Sequence, residues 1–333
     1  MKNILNDLIE YKSLDKQTAK EILVRLAQGE FNQSQMAAFL TVFLMRSITV
    51  EELEGFQEAM LELCVPLPIE EYDAIDLCGT GGDGKNTFNI STTASFVVAG
   101  ASQNVAKHGN NGVSSVCGSS NLLSYFGYEF TNDADRLKQS LDQAGICFLH
   151  APLFHPAMKN VAPVRRELGM KTFFNMLGPM VNPSFPKKQL VGVFSLELAR
   201  LYAYLFQKSE KQFVILHSLD GYDEISLTGP FRMITNAGEY LLTPEDLGFQ
   251  THTPEALYGG ETVEESAQVF LNIMNGKGTQ AQREVVLANA GMAIHCGQPS
   301  LTLEQSISKA QDSLESGKAL AAFERLTGKS VSA

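Results

Sequence analysis

The sequence predicts an α/β protein, with a small N-terminal helical domain followed by a large α/β domain that has a mostly parallel central sheet. Two observations carry this prediction. The first seventy residues contain consecutive amphipathic helices, and from residue 74 short apolar runs alternate with helical segments. The stretch VPLPIEEYD (65–73), with two prolines, separates the two patterns. We therefore predict a helical domain over 1–70 and an α/β domain over 71–333.

The helical part is recognised by its apolar faces and its N-caps. A first helix over 15–27 stops at Gly29, and its apolar face consists of Ala19, Ile22, Leu23 and Leu26. Asn32 opens a second helix, whose apolar residues are Met36, Phe39, Leu40, Phe43 and Leu44. Thr49 and Glu52 form a T-x-x-E capping box ahead of a third helix. Because the linkers are short, we expect neighbouring helices to be antiparallel.

The α/β part begins with the apolar run AIDLC (74–78), which is typical of a buried strand. The small-residue segment STTASFVVAGAS (91–102) predicts a helix, and NVAKHG (104–109) a strand that runs into a loop. The same alternation continues through QLVGVF (189–194), LELARLYAYLF, QFVILHSL (212–219) and EVVLANAGMAIH (284–295). Alternation of this kind favours a parallel sheet, with ligands bound at the carboxyl ends of its strands.

Composition and charge narrow the class of protein. The chain has 333 residues, of which 44% are hydrophobic and 19% charged, so it has ample material for a core. Its 26 Lys and Arg against 37 Asp and Glu give a net charge of −11, which argues against a general nucleic-acid or anionic-membrane surface. Five scattered cysteines without a C-x-x-C pair argue against disulfides and zinc. With no apolar run of about 18 residues, we expect a cytoplasmic protein.

A glycine-rich loop follows the first predicted strand. In Cys78-Gly79-Thr80-Gly81-Gly82-Asp83-Gly84-Lys85-Asn86-Thr87, four glycines fall within six positions. Such a loop can turn successive N–H groups toward a phosphate. The spacing also approaches a P-loop, but Asn86 stands where Ser or Thr should bind magnesium, and Thr87-Phe88-Asn89-Ile90 delays the next helix. A phosphate-binding nest is therefore favoured over an ATPase loop, with a plain flexible loop as the remaining alternative.

Two further polar segments lie where strands end or helices begin. Asn89-Ile90-Ser91-Thr92-Thr93 places more hydroxyls at a helix start than an N-cap requires, which favours phosphate binding. Lys107-His108-Gly109-Asn110-Asn111 supplies a cation, and the serine-rich turn 114–120 supplies further donors. Taken alone, Lys107 could equally be a solvated surface residue.

Two charged segments leave alternatives open. Asp220-Gly221-Tyr222-Asp223-Glu224 is either an acidic hairpin turn or, if phosphates bind nearby, a source of Mg2+ ligands. Arg165 and Arg166 either bind a substrate carboxylate or form an ion pair with Glu167. The sequence has no Ser-His-Asp order and no G-x-S-x-G elbow, so a hydrolytic nucleophile has no support.

The ordered set of motifs closely resembles the anthranilate phosphoribosyltransferase family over essentially the whole chain. The motifs are GTGGD, NIST, KHGN, the glycine-serine turn, HPAMKNVAPVRRELG, FNMLGPMVNP and DGYDE. The resemblance implies transfer of the phosphoribosyl group of phosphoribosyl pyrophosphate to the amine of anthranilate, a step of tryptophan biosynthesis. It also implies the α/β class shared with nucleoside phosphorylases and two Mg2+ ions per subunit. It further implies a homodimer formed through the helical domain. A later segment near 165–185 is expected to return to that domain.

The resemblance also implies the site residues. Those expected to line the phosphoribosyl pyrophosphate site are Gly79, Gly82, Asp83, Thr87, Asn89, Ser91, Thr92, Lys107 and Ser119. Those expected to contact anthranilate or line its pocket are Gly79, Asn110, Arg165, His108, His155 and Gly178. Ile90, Gly109 and Ser115 complete the predicted substrate-binding set. Ser91 with Glu224 would hold one magnesium ion and Asp223 with Glu224 a second, and the residues expected to act in catalysis are Lys107, Arg165, Asp223 and Glu224.

Some positions depart from the family pattern. Asn111 stands where Arg is usual, and Cys117 and Asn121 stand where Ser and Asp are common. The lost Arg makes the local field less positive. Two other functions remain as alternatives: a pyrimidine nucleoside phosphorylase, and a nucleic-acid-binding relative without transferase activity, against which the net charge argues.

Overall fold

The computed structural model describes residues 1–112 and 115–331, which form two compact units. The helical unit comprises 1–67 and 151–185, and the α/β unit comprises the described residues of 68–150 and 186–331. The helices, in chain order, are α1 (Lys2–Ile9), α2 (Lys16–Ala27), α3 (Gln33–Met45), α4 (Val50–Glu62), α5 (Ile90–Gly100), α6 (Ser119–Tyr125), α7 (Ala134–Ala144), α8 (Ala151–Phe154), α9 (Ala162–Leu168), α10 (Phe174–Leu177), α11 (Leu196–Gln207), α12 (Val263–Met274), α13 (Gln280–Gly297), α14 (Leu303–Glu315) and α15 (Lys318–Thr327). The strands are β1 (Ile75–Gly79), β2 (Val105–Gly109), β3 (Ile146–His150), β4 (Lys188–Gly192), β5 (Gln212–Ser218), β6 (Phe231–Thr235) and β7 (Gly238–Leu242).

The helical unit confirms the local signals of the sequence. Thr49 caps α4 in a capping box with Glu52, and the predicted apolar face of α2 is buried. Phe39 and Phe43 of α3 and Phe56 of α4 surround Phe173, which stacks on Phe56 with ring centroids 4.4 Å apart. Because Phe173 comes from the later segment 151–185, this aromatic cluster ties that segment into the helical unit.

The α/β unit is built on one seven-stranded sheet of order β3-β2-β1-β4-β5-β6-β7. Strands β1 to β5 are parallel, and β6 and β7 extend the sheet antiparallel. The predicted mostly parallel sheet is therefore confirmed. Successive strands are added outward from β1 to β3 on one side, whereas β4 and β5 lie on the other side of β1. A reversal of this kind opens a crevice at the carboxyl ends of the two central strands, here β1 and β4.

Helices α5 and α13 pack on the central strands, and Ile75, Leu77 and Cys78 of β1 are buried. Helix α5, with the apolar segments of α13 and α15, contributes to the large core that includes Ile75 and Leu77 of β1. Tyr202 and Phe206 of α11 are buried against each other, and Phe206 also contacts Phe213 of β5. The segment EVVLANAGMAIH lies inside the 18-residue helix α13.

Two parts of the sheet were not predicted, and one alternative is wrong. These parts are β3 and the hairpin of β6 and β7. The acidic-hairpin alternative for 220–224 is wrong, because the antiparallel partner of β5 begins only at Phe231 and the intervening residues form a longer loop. Within the described residues, no helix combines the length and the apolar character needed to cross a bilayer.

Candidate active site

The glycine-rich loop connects β1 to α5. Gly81, Gly82 and Gly84 have φ of 63°, 78° and 75°, a left-handed conformation that favours glycine. Helix α5 begins only at Ile90, whereas a P-loop passes into its helix at the lysine. The Lys85 ammonium instead lies 4.5 Å from the centre of the Tyr222 ring. The P-loop alternative is therefore wrong.

The second half of this loop is held by the segment 257–260. Asn86 Nδ2 donates to the Gly260 carbonyl at 2.8 Å, and the Asn86 carbonyl accepts from the Gly259 N–H at 2.8 Å. The Phe88 N–H donates to the Leu257 carbonyl at 3.0 Å. Asn86, which stands where a P-loop would carry Ser or Thr, thus has a structural role. These bonds fix the approach of the chain to Asn89.

The start of α5 is directed toward a carboxylate. The Ser91 N–H donates to Glu224 Oε1 at 2.9 Å. Asn89 does not cap the helix with its side chain. Its Nδ2 donates to the Cys117 carbonyl at 2.8 Å, and its buried Oδ1 has no hydrogen-bond partner among the described residues. The Thr93 hydroxyl bonds back to the Asn89 carbonyl at 2.8 Å, as hydroxyls inside helices do. The Ser91 amide therefore faces the Glu224 carboxylate, whereas the Thr93 hydroxyl is used within the helix.

Lys107 is a buried lysine, so the surface alternative is wrong. Its side chain is 2% exposed, and Nζ donates to the Leu77 carbonyl at 2.6 Å and approaches the Ser91 hydroxyl at 3.4 Å. Burial lowers the pKa of Lys107, and the charges of Cys78, Asp76 and Glu224 oppose that shift. The ammonium thus lies beside the start of α5.

Asp76 of β1 is buried, and its charge acts on Lys107. This residue was not identified from the sequence. Strands β1 and β2 are in register only at Ile75 and Val105, and the Asp76 carboxylate then accepts the His108 N–H at 3.2 Å. Its side chain is fully buried, and Gln189 Nε2 lies 3.5 Å from it. An Asp inside the apolar run AIDLC was the available signal, since a buried carboxylate needs polar partners.

Asp223 and Glu224 lie in the loop after β5 and close against the glycine loop. Asp223 Oδ2 accepts the Gly81 N–H at 2.7 Å. Gly79 is required at the end of β1, because a Cβ at that position would collide with the Asp223 carboxylate. The Gly81 and Ser91 N–H groups lie in the two segments predicted to bind phosphate. In this structure both donate to carboxylates.

Ionisation is disfavoured for the carboxyl groups of Asp83, Asp223 and Glu224. Burial, together with the charges of Glu224 and Asp83, raises the pKa of Asp223 well above its usual range. Burial and the charge of Asp83 raise the pKa of Glu224 to about 7, and burial also raises the pKa of Asp83. Neither Asp223 nor Glu224 forms an ion pair within the described residues.

This donor set fits a hard divalent cation, which would offset the repulsion among the carboxylates. In the part of the chain that the structure describes, no three His, Cys, Asp or Glu side chains converge as a complete metal site. Mg2+ characteristically takes one or two protein carboxylates together with substrate phosphates and water. Asp223, Glu224 and the Ser91 hydroxyl are therefore the residues that could hold it.

The loop after β2 leads to α6 and is closed by amide side chains. Asn121 Oδ1 accepts the N–H groups of Gly112 and Gly118 at 2.8 and 3.0 Å, so the Asn121 side chain stabilises the loop. The Asn110 carbonyl accepts the Ser119 hydroxyl at 3.3 Å. Ser115 is partly exposed, and Val113 and Ser114 lie outside the described residues.

Arg165, His155 and Gly178 belong to the helical unit, and the other predicted site residues belong to the α/β unit. The Arg165 guanidinium lies 5.0 Å from the centre of the Phe174 ring and 3.4 Å from Asn175 Oδ1. Burial lowers the pKa of Arg165. Among the described residues this guanidinium forms no ion pair, so the alternative of a pair with Glu167 is wrong.

His155 is a buried, neutral imidazole. Its Nε2 donates to the Val181 carbonyl at 3.0 Å, and burial lowers its pKa to about 4. Because the folded pKa lies below the unfolded value of about 6.5, the unfolded chain binds more protons between these values. Stability from this residue is thus complete above about pH 6.5 and is lost as the pH falls toward 4.

We expect His155→Gln to flatten the acid dependence of stability. In urea denaturation, the free energy of unfolding of the parent chain should fall between pH 7 and pH 5 by about 2 kcal/mol more than that of the variant. Phe154→Leu, at the neighbouring buried side chain, should lower stability equally at both pH values. Parallel pH dependences in the parent chain and His155→Gln would contradict the burial argument.

Comparison with known proteins identifies the class first. Residues 2–64 match the model of the glycosyl transferase family, helical bundle domain, and residues 71–320 match that of the glycosyl transferase family, a/b domain. The fold and the site thus define a glycosyl transferase.

Individual relatives identify the family. The chain is 60% identical over 326 residues to an anthranilate phosphoribosyltransferase of Flavobacterium psychrophilum, covering 98% of each chain. The crystal structure of anthranilate phosphoribosyltransferase from Thermus thermophilus superposes with a TM-score of 0.90 at 34% identity, over 97% of this chain and 98% of that one. The enzyme from Saccharomyces cerevisiae in complex with PRPP and Mg gives 0.88 at 26% identity, over 97% and 96%.

The chain belongs to the anthranilate phosphoribosyltransferase family. The fold class and the enzyme activity predicted from the sequence are thereby confirmed, in preference to the nucleoside phosphorylase and nucleic-acid-binding alternatives.

Proposed function

We propose that the loops after β1, β2 and β5 bind phosphoribosyl pyrophosphate and that the chain transfers its phosphoribosyl group to the amine of anthranilate. The observation that carries this proposal is the cluster of Asp83, Asp223 and Glu224, whose pKa values are raised beside an amide-rich glycine loop. Bare carboxylates repel a pyrophosphate, so the cluster fits this ligand only together with a cation.

Residues for the sugar donor surround that cluster. We assign to this donor Gly79, Gly82, Asp83, Thr87, Asn89, Ile90, Ser91, Thr92, Lys107, Gly109, Ser115 and Ser119. Three observations support the assignment: the left-handed glycines, the buried Lys107 ammonium, and the Asn89 Oδ1, which has no partner within 1–112 and 115–331. For anthranilate we retain Gly79, His108, Asn110, His155, Arg165 and Gly178.

Magnesium is proposed to be held by Ser91, Asp223 and Glu224, with two ions per subunit. Held there, the ion would neutralise negative charge on the departing pyrophosphate. The residues that would hold it are already aligned, because the Gly81 and Ser91 amides orient Asp223 and Glu224.

The reaction is a substitution at ribose C1′. The bond from C1′ to the pyrophosphate oxygen breaks, the bond from C1′ to the anthranilate nitrogen forms, and that nitrogen loses a proton to solvent. The aryl amine is unprotonated near neutral pH, so no strong general base is needed. Lys107 would stabilise negative charge on the leaving group, and Arg165 would orient the anthranilate carboxylate.

The homodimer formed through the helical domain also remains a proposal. Large apolar side chains exposed on the helical unit support it: Ile9 is 65% exposed, Tyr11 75% and Met45 77%. The cytoplasmic location stays a prediction.

Loss of anthranilate fluorescence tests the proposed function directly. We expect the fluorescence to fall only when phosphoribosyl pyrophosphate and Mg2+ are both present, to stop falling after addition of a chelator, and to fall again after Mg2+ is restored. Phosphorolysis of thymidine should be absent under the same conditions. Consumption that continues in the chelator would overturn the metal assignment, and no consumption in the complete mixture would overturn the transfer.

A further inference from the structure

We propose that Asn289 of α13 is a positioning residue that holds the Asp223–Glu224 turn in the geometry required for cation binding. The inference rests on the proposed magnesium site. Asn289 is 3% exposed and lies in the middle of the otherwise apolar helical stretch VVLANAGMAI (285–294). A buried amide in such a stretch needs a full set of hydrogen-bond partners.

Asn289 finds these partners on the residue that follows Glu224. Its Oδ1 accepts the Ile225 N–H at 3.1 Å, and its Nδ2 donates to the Ile225 carbonyl at 2.8 Å. The second proton of Nδ2 is donated to the Val285 carbonyl within α13, also at 2.8 Å. Both N–H donors of the Asn289 amide are thus used, and its oxygen accepts one hydrogen bond.

Two other anchors act on the same turn. The Ser218 hydroxyl at the end of β5 donates to the Glu224 carbonyl at 2.7 Å. Gly192 at the end of β4 lies so close to the Asp223 backbone that an added Cβ would overlap the Asp223 carbonyl. Asn289, Asp223 and Glu224 also line one small cavity of about 10 Å³ together with Ser91. The turn is thus fixed to β4, β5 and α13, and Asn289 is its link to the helix.

This arrangement has a consequence for the cation. Two consecutive carboxylates can act as ligands together only if the backbone between β5 and Ile225 keeps one conformation. Residues that orient metal ligands typically affect metal affinity by 10- to 100-fold when they are replaced. Asn289 contributes no ligand itself, so its effect should pass through Asp223 and Glu224.

The test compares Asn289→Ala with Asn236→Ala. Asn236 makes the same kind of clamp at the opposite end of β5, where Oδ1 accepts the Phe213 N–H at 2.9 Å and Nδ2 donates to the Lys211 carbonyl at 2.8 Å. Mn2+ binding in the presence of pyrophosphate is followed by the electron paramagnetic resonance signal of free Mn2+. We expect Asn289→Ala to weaken binding by about 10- to 100-fold and Asn236→Ala to leave it within about twofold. Kinetics should show a raised KM for phosphoribosyl pyrophosphate and an unchanged KM for anthranilate.

Circular dichroism and a second variant, Asn289→Ser, keep the test decisive. If either variant is folded and binds Mn2+ like the parent chain, the role of Asn289 is refuted. Loss of fold in both variants also refutes it, because Asn289 would then serve the whole unit rather than the turn. Asp223→Asn with Glu224→Gln separates the two proposals: normal Mn2+ binding in that double variant would refute the magnesium site itself.

Discussion

Asp223→Asn combined with Glu224→Gln should lower the turnover number by at least about 100-fold without lowering the melting temperature. The amide oxygens of the new side chains can still accept the Gly81 and Ser91 N–H groups, so the turn keeps its hydrogen bonds. Charge is what the variant removes. Since burial raises the pKa of both carboxylates, their ionised forms destabilise the folded chain, and neutral replacements relieve that cost.

Steady-state kinetics across a magnesium titration, with melting curves at pH 8, would measure both effects. Glu245→Gln with Asp246→Asn is the matched control, because it removes the same two charges from an exposed pair in the α/β unit. We expect that control to retain parental turnover. Parental turnover in the Asp223 and Glu224 double variant would contradict the assignment of the metal site.

Arg165→Ala should raise the KM for anthranilate by about 100-fold and the KM for phosphoribosyl pyrophosphate by much less. The guanidinium lies over Phe174 and has no carboxylate partner among the described residues, so it is available for a substrate carboxylate. A hydrogen bond to a charged group contributes about 1.5–3 kcal/mol, and each 1.4 kcal/mol corresponds to a factor of ten.

Two neighbouring substitutions serve as controls for this experiment. Arg166→Ala removes an exposed arginine from the same turn of α9 and should change neither KM appreciably. Arg165→Lys keeps the charge without the planar fork and should recover only part of the loss. A rise in the KM of both substrates by the same factor in Arg165→Ala would mean that Arg165 is not the carboxylate partner.

The features that were predicted correctly from the sequence are those determined by residues close together in the chain. The capping box of Thr49 and Glu52, the strand AIDLC and the glycine loop before α5 each depend on neighbours within a few positions. The set of short motifs along the chain also predicted the family, which the relatives confirm. The antiparallel hairpin of β6 and β7 was missed.

The sequence alone therefore determined the alternation of elements, the glycine-rich loop after β1 and the acidic excess of the chain. Only the tertiary structure decided that Lys107 is buried, that Asp223 reaches the Gly81 N–H across 142 positions of sequence, and that Asn289 reaches Ile225 across 64. The physical reason is that hydrogen bonding and desolvation depend on which groups meet in space. At this site the order of the strands in the sheet decides which groups meet. No local sequence pattern encodes that order.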